Sequence, residues 1–150
     1  MSRVKVPRIH CTRVRFNRLI PEISVTDIEE SLRFYTEILG FKVEYSRPED
    51  GFAFLSLQGS QLMVEEINHN WETGELEHPF GRGVNLQIEV DGVEELLRSL
   101  EEHGYPLFRP PKESWYRGDD VVYGQKEFLV QDPDGYLLRF AQDLGERPET

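Results

Sequence analysis

The chain lacks the features that define several common classes of protein. Its 150 residues include one cysteine, Cys11, so neither an internal disulfide framework nor a multi-cysteine zinc site is available. No apolar run approaches the ~20 residues of a membrane-spanning helix, and the N-terminus has no secretory signal stretch. We therefore expect a cytoplasmic protein with no membrane partner, because a single thiol suits a reducing compartment.

Basic residues are scarce outside the first 18 positions. The chain carries 17 Lys and Arg against 28 Asp and Glu, for a net charge of −11. Six of these basic residues and no acidic residue lie in 1–18, so residues 19–150 alone carry −17. The acidic body argues against a nucleic-acid partner and is compatible with a cationic ligand. We interpret residues 1–18 as a flexible or loosely attached basic arm; a nucleic-acid-binding arm and a start codon assigned too early are the alternatives.

Two segments show the pattern of a short strand that leads into a helix. In the first, a strand at 20–25 precedes Thr26 and Glu29, which have the spacing of a capping box. Apolar residues then recur on one helical face, and Gly40 stands where a left-handed C-terminal cap is needed. In the second, a strand at 85–90 precedes a helix of the same pattern.

These segments belong to an internal repeat. The first strand and helix match the second at an offset of 65 residues, and later strand pairs match at an offset of 76. The turns between those later strands lie at Gly59 and at Asp132-Pro133-Asp134-Gly135, the latter a strong turn signal. A further strand is expected at 42–45, with its counterpart near 105–108. We therefore predict an α+β fold in which two repeated βαβββ modules form a curved mixed sheet with a concave cleft.

The repeat divides the chain into five parts. They are a basic N-terminal arm (1–18), a first βαβββ module (19–67), an acidic linker (68–83), a second βαβββ module (84–143) and a C-terminal tail (144–150). The linker contains His69 and His78, but a separation of nine residues matches no one-face helical spacing for metal ligands. We therefore interpret the linker as a solvated acidic loop.

Two motifs resemble those of a known family. Val25-Thr26-Asp27 leads through Phe34-Tyr35 to Leu39-Gly40-Phe41, and a strand–turn–strand pattern closes the chain from Phe128 to Phe140. In this order, and with the internal repeat, the motifs resemble the glyoxalase, bleomycin-resistance and extradiol-dioxygenase superfamily, also called vicinal oxygen chelate. The resemblance covers about residues 19–143, and it implies the paired-module fold rather than one particular function.

The resemblance also implies where a divalent metal would be held, and those positions carry unsuitable residues. Enzymes of this family take their ligands from the first and last strands of each module, and the corresponding positions here are Ile20, Met63, Asn85 and Arg139. Isoleucine has no lone pair, a methionine thioether suits few hard metals, and Arg139 places positive charge where the cation would lie. We therefore predict no metal and no other cofactor, and a binding protein rather than an enzyme.

Aromatic side chains near the C-terminal half suggest a ligand surface. Trp115 and Tyr116 are expected in a loop between Pro110-Pro111 and Arg117, where they are placed to contact a ligand by stacking or cation–π interaction. Trp71, in the linker, is placed to close over a groove. We assign no catalytic residue, and the predicted ligand-binding residues are Trp115, Tyr116, Trp71, Phe54, Asn85 and Arg139.

The favoured function is that of a metal-free small-molecule binding protein similar to bleomycin-resistance proteins, which are drug-sequestering homodimers. The resemblance implies antibiotic resistance through sequestration of a large cationic or aromatic ligand, with a second copy of the chain supplying one wall of each groove. One alternative is a metal-dependent glyoxalase- or dioxygenase-like enzyme of the same fold, or a metal-free one that uses Glu22, Glu89 or Glu127 as acid or base. Another is a binding module for an endogenous metabolite.

Overall fold

The protein is built from two βαβββ modules, as the repeat predicts. A computed structural model describes residues 13–149, so Cys11 and most of the predicted basic arm lie outside the described residues. The first module contains β1 (Glu22–Val25), α1 (Ile28–Leu32) continued by a π-helical segment (Arg33–Ile38), β2 (Lys42–Arg47), a 3-10 turn (Pro48–Asp50), β3 (Phe52–Leu57) and β4 (Ser60–Glu66). The second contains β5 (Asn85–Glu89), α2 (Glu94–Glu102), β6 (Arg109–Arg117), β7 (Val121–Gln131) and β8 (Leu137–Pro148). The predicted α+β class and the paired modules are confirmed. No helix in the described part of the chain is long and apolar enough to cross a membrane.

The strands are hydrogen-bonded as two four-stranded mixed sheets with the same connectivity. The strand orders are β1-β4-β3-β2 and β5-β8-β7-β6. In each sheet the first strand of the module is parallel to the last, and the remaining pairs are antiparallel. Each module therefore crosses over once through its helix, which covers one face of its sheet.

One hydrophobic core joins the two modules. Alternate residues of the central strands face it, including Leu62 and Val64 on β4 and Leu138 and Phe140 on β8, and all four are buried. Both helices contribute residues to the same cluster. The opposite side of each sheet carries the intervening residues, and we call it the open face of that sheet.

The Asp-Pro-Asp-Gly turn between β7 and β8 binds the first module. The Tyr35 hydroxyl donates to Asp132 Oδ2 at 2.8 Å, and the Thr26 hydroxyl donates to Asp134 Oδ1 at 2.5 Å. In return, the Tyr136 hydroxyl donates to the Ser24 carbonyl at 2.9 Å. The sequence predicted the turn, but its contacts with the other module depend on the tertiary structure.

The cap of α1 differs from the predicted capping box. Asp27 is the N-cap residue, and its Oδ1 accepts from the backbone N–H groups of Glu29 and Glu30 at 3.0 and 3.2 Å. Thr26 does not cap because its hydroxyl is bound to Asp134. The C-terminal prediction is confirmed, since Gly40 follows the helical segment with a φ of +83°.

The position of β6 is a second correction. The predicted strand near 105–108 is instead the connection from α2, where the Tyr105 hydroxyl donates to the Gln131 carbonyl at 2.6 Å. Trp115 and Tyr116 therefore lie in a strand and not in a loop. Pro110 and Pro111 are tolerated there because β6 is an edge strand, and its register with β7 shifts between Arg109 and Lys112. On the other side of β7, the strand β8 continues to Pro148 and includes most of the predicted C-terminal tail (144–150).

Candidate functional site

The open face of the second sheet carries an unusual concentration of polar side chains. On β7 and β8 the core-facing residues are apolar, whereas the residues between them include Gln125, Glu127 and Arg139. The pairing of Glu127 with Ala141, and of Leu129 with Arg139, places Glu127 and Arg139 diagonally on the same face. Tyr116 of β6 completes this group from the edge of the sheet.

Glu127 lies at the centre of this polar group. The residue is 7% exposed, although carboxylates are seldom buried unless they are paired. Its Oε1 accepts a hydrogen bond from the Tyr116 hydroxyl. Its Oε2 lies 3.9 Å from Nη1 of Arg139, whose side chain is 29% exposed. The carboxylate is thus held between a phenol and a guanidinium.

The polar group is not fully satisfied. Three of its buried side-chain atoms have no hydrogen-bond partner among the described residues, namely Glu127 Oε2, Arg139 Nε and Gln125 Oε1. Unpartnered buried polar atoms are uncommon in native proteins, where about nine in ten find a partner. This face of the sheet is therefore the strongest candidate for a binding site in the described part of the chain.

The open face of the first sheet is aromatic and is already covered. Tyr45 stacks on Phe54 with ring centroids 5.2 Å apart, and Phe16 packs edge-on against Phe54 at 5.3 Å. Asn17 N donates to Gln61 Oε1 at 2.7 Å, and Gln61 Nε2 donates to the Arg15 carbonyl at 2.5 Å. The described end of the predicted flexible arm therefore contacts the sheet, and Phe16, which itself stays 60% exposed, packs edge-on against Phe54. Phe54, a predicted ligand contact, is fully buried beneath it.

The two predicted aromatic contacts on β6 point in opposite directions. Tyr116 pairs with Tyr123 and is 42% exposed on the open face. Trp115 pairs with Gly124 on the other side of the strand, and the guanidinium of Arg147 lies 3.9 Å from the centre of its ring. The structure therefore joins Tyr116 to the polar group and separates Trp115 from it.

The other predicted contacts lie away from Glu127, with one exception. Arg139 touches Glu127, as described above. Asn85 is exposed on β5, where it lines a cleft of about 300 Å³ with Leu19 and Leu86 at the boundary between the modules. Trp71 is 63% exposed in the linker. No local signal distinguished Glu127, because it follows Gln125 and Lys126 in a strand that mixes polar and apolar residues.

The residues at the positions that the family uses for its metal do not fit a divalent cation. Met63 faces Glu22 across β1 and β4, and Arg139 faces Gln87 across β5 and β8. A thioether, a carboxylate, a guanidinium and an amide make a poor ligand set for a hard or borderline metal, because the guanidinium places a positive charge beside the cation. Within residues 13–149, no three His, Cys, Asp or Glu side chains are grouped closely enough to hold a metal ion.

Burial raises the pKa values of two acidic residues elsewhere in the fold, Glu22 and Asp132. Partial burial, followed by the nearby Glu65, raises the pKa of Glu22, and Arg47 opposes this rise. Burial raises the pKa of Asp132 to about 6, and the hydrogen bond from Tyr35 partly opposes it. Neither residue belongs to the polar group around Glu127.

Comparisons with known proteins agree with this architecture. The family described as the Glyoxalase/Bleomycin resistance protein/Dioxygenase superfamily matches residues 10–140. A protein named bleomycin resistance protein from Geobacillus stearothermophilus is 28% identical over 137 residues, which cover 83% of this chain and 96% of the relative. A probable lactoylglutathione lyase from Synechocystis is 28% identical over 130 residues, covering 83% and 94%. The crystal structure of TioX from Micromonospora has a TM-score of 0.66 at 19% identity, covering 86% and 100%, which supports the fold alone.

Proposed function

Because this chain belongs to the Glyoxalase/Bleomycin resistance protein/Dioxygenase superfamily, we propose that it binds a small organic molecule on the open face of its second sheet without a metal ion. The observation that carries the proposal is Glu127, a carboxylate 7% exposed on a strand face that does not belong to the core. The fold does not require polarity there, since one sheet face already supplies the core.

The residues around Glu127 support binding rather than metal-assisted chemistry. A Lewis-acid mechanism needs a ligand set that holds the metal and leaves a coordination position open. Here Arg139 occupies the family's carboxylate position and already neutralises Glu127 in part. The Arg139 guanidinium therefore supplies the positive charge that a bound metal ion would otherwise supply beside Glu127.

The ligand that suits the surface is cationic or aromatic and partly polar. The net charge of −11 favours the approach of cations. Large aromatic side chains are exposed on β6, on β7 and just before β6, namely Tyr116, Tyr123 and Phe108, at 42%, 48% and 48%. Such rings bind planar or cationic groups by stacking and cation–π contact. The similarity to proteins named for bleomycin resistance makes a bleomycin-type drug the first ligand to test.

A second copy of the chain is the partner we propose. Several large apolar side chains are exposed in addition to the aromatic ones, among them Leu19 at 82% and Val84 at 60%. Burial of this exposed apolar surface would favour association. A homodimer would cover it and would supply the second wall of each ligand groove, in a protein that acts in the cytoplasm.

The proposal is tested by titrating the protein with bleomycin and following tryptophan fluorescence and heat. We expect saturable binding that Glu127→Gln weakens, because the buried charge is lost. Glu113→Gln is the matched control, since Glu113 is exposed on β6 and pairs with Lys126 on the opposite side of the sheet. Absence of both quench and heat at high micromolar drug would rule out the drug-binding function.

The enzyme alternative is favoured by one observation, the similarity to proteins named lactoylglutathione lyase. It predicts stoichiometric metal in the purified protein and isomerisation of a glutathione hemithioacetal when that metal is present. Elemental analysis separates the two functions, because the binding proposal expects substoichiometric metal that dialysis removes without effect on drug affinity.

A further inference from the structure

Three unpartnered polar atoms share the open face of the second sheet, and their chemistry describes a ligand group. Glu127 Oε2 and Gln125 Oε1 are hydrogen-bond acceptors, and Arg139 Nε is a donor. Gln125 and Glu127 are alternate residues of β7, and Arg139 lies on the neighbouring strand beside Glu127. Two acceptors and one donor are therefore buried on one face of the sheet with no hydrogen-bond partner among residues 13–149, although Glu127 Oε2 lies 3.9 Å from Arg139 Nη1.

Comparison of the two modules shows that this polarity is not needed by the fold. In the first sheet, Phe52 pairs with Glu65. The equivalent pair in the second sheet is Glu127 with Ala141, so Phe52 and Glu127 occupy the same position in their sheets. The residue of the first sheet that matches Arg139 at the offset of 76 is Met63. The same sheet position thus accepts apolar side chains, and the second module carries a buried acid and a guanidinium instead.

The donor and acceptor count matches one common functional group. A primary carboxamide has two N–H donors and one carbonyl acceptor in a plane. We propose that this face recognises the primary carboxamide of its ligand, an inference that rests on the binding function proposed above. One N–H donates to Glu127 Oε2, the other donates to Gln125 Oε1, and the carbonyl accepts from Arg139 Nε.

Related groups satisfy the face less well. A carboxylate has no donor, and it would meet the negative charge of Glu127. An ammonium group donates to Glu127 and Gln125 but offers no acceptor, so Arg139 Nε would remain unpartnered. An N,N-dialkylated amide keeps the acceptor and loses both donors. Among these four groups, only the unsubstituted amide pairs all three atoms.

Entry requires displacement of the Tyr116 side chain, which is 42% exposed and donates to Glu127 Oε1. Arg139 stays in place, since its Nε is the donor to the ligand carbonyl. Tyr116 stands on an edge strand, so its ring can rotate outward without disturbing a neighbouring strand. A displaced ring remains beside the amide, where it can stack on a planar ligand.

The experiment uses four probes that share a benzene ring and differ only in the polar group: benzamide, N,N-dimethylbenzamide, benzoate and benzylamine. Binding to the full chain is measured by amide chemical-shift perturbation at millimolar probe concentration. We expect benzamide to bind at least about ten-fold more tightly than the other three, with shifts centred on β7 and β8. Arg139→Met, which introduces the residue of the first module, should remove this preference, whereas Arg98→Met on the exposed side of α2 should keep it.

The outcomes separate this inference from the proposed function. If benzylamine binds as tightly as benzamide, the face is a simple cation site, the carboxamide assignment is wrong and the drug-binding function stands. If bleomycin binds but none of the four probes does, the assignment is again wrong. If benzamide binds in an Arg139-dependent way and bleomycin does not, the assignment stands and the drug version of the function fails.

Discussion

Replacement of Asp132 by Asn should remove a pH-dependent penalty on the stability of the fold. Asp132 is 3% exposed, and its Oδ2 accepts from the Tyr35 hydroxyl at 2.8 Å. Its Oδ1 accepts from the backbone N–H groups of Asp134 and Tyr136 at 3.0 and 2.9 Å. Asparagine keeps the size of the side chain and can keep the same backbone acceptor.

The magnitude follows from the shift of the pKa. Burial, the largest cause, and the neighbouring Asp134 raise the pKa of Asp132 from 3.8 to about 6, against the opposing hydrogen bonds. Since one pKa unit corresponds to about 1.36 kcal/mol, ionisation of Asp132 costs the native state about 3 kcal/mol. Below pH ~4 both the native and the unfolded forms are protonated, so the penalty is absent. It develops as the pH rises towards 6 and is nearly complete at pH 7.

The assay is chemical denaturation of the wild type and Asp132→Asn at several values between pH 4 and pH 7. Titration of the remaining carboxylates is common to both proteins and cancels in the difference of their unfolding free energies. We expect the wild type to lose about 2.5 kcal/mol relative to the variant over this range, since a small part of the penalty is already present at pH 4. Asp119→Asn, in an exposed turn, controls for the loss of one negative charge. A pH-independent difference between wild type and Asp132→Asn, or one of the opposite sign, would refute the reasoning.

Three further predictions concern packing. Gly135→Ala should destabilise the fold more than Gly59→Ala. Both glycines have a φ near +90°, so alanine at either position costs about 1 kcal/mol of backbone strain. Only the new Cβ at position 135 would lie 2.5 Å from Pro79 Cβ, which adds ~1–3 kcal/mol. Equal denaturation midpoints for these two variants would contradict this. Phe128→Ala should cost about 3–5 kcal/mol in unfolding free energy because the side chain is fully buried, and a cost below ~1 kcal/mol would show that the site is not part of the core. Phe16→Ala should cost only about 0.5–1.5 kcal/mol, yet it should uncover Phe54 and increase the binding of a hydrophobic dye such as ANS. Unchanged dye binding would argue against the packing of Phe16 on Phe54.

The organisation of the fold could be read from the sequence because it is repeated locally. The apolar periodicity, Gly40 and the Asp-Pro-Asp-Gly turn are signals within a few residues, and the offsets of 65 and 76 gave each module independent support. The predicted cap was wrong because a residue distant in sequence binds the side chain that the local pattern assigned to the cap. Thr26 matches a capping box in the sequence, but its hydroxyl binds Asp134, more than a hundred positions away.

The position of β6 shows a second limit of local patterns. Two successive prolines usually argue against a strand, because proline cannot donate to the ladder. In the structure β6 forms the edge of its sheet, so the missing donors at Pro110 and Pro111 cost little. The pairing of all strands in the module decides whether a strand is central or at an edge. A few neighbouring residues in the sequence do not contain this information.

The candidate site was predicted in part. Tyr116 and Arg139 are brought together as two sides of one polar group, but Trp115 lies on the other face of its strand, and Phe54 is buried beneath Phe16. Glu127, expected from the sequence only as an alternative acid or base, joins the two. Composition could not rank it above the other 27 acidic residues, because its burial depends on packing.

By itself the sequence determined the class of fold, the repeat, the family and the unsuitability of the inherited metal positions, since each of these depends on residue identity and short spacing. The tertiary structure alone decided which open face is filled and which is left with unsatisfied groups. Phe16 covers the first sheet because its apolar surface has aromatic partners there. The second sheet keeps Glu127, Arg139 and Gln125 with unpartnered atoms because no other described group is placed to form a hydrogen bond with those atoms.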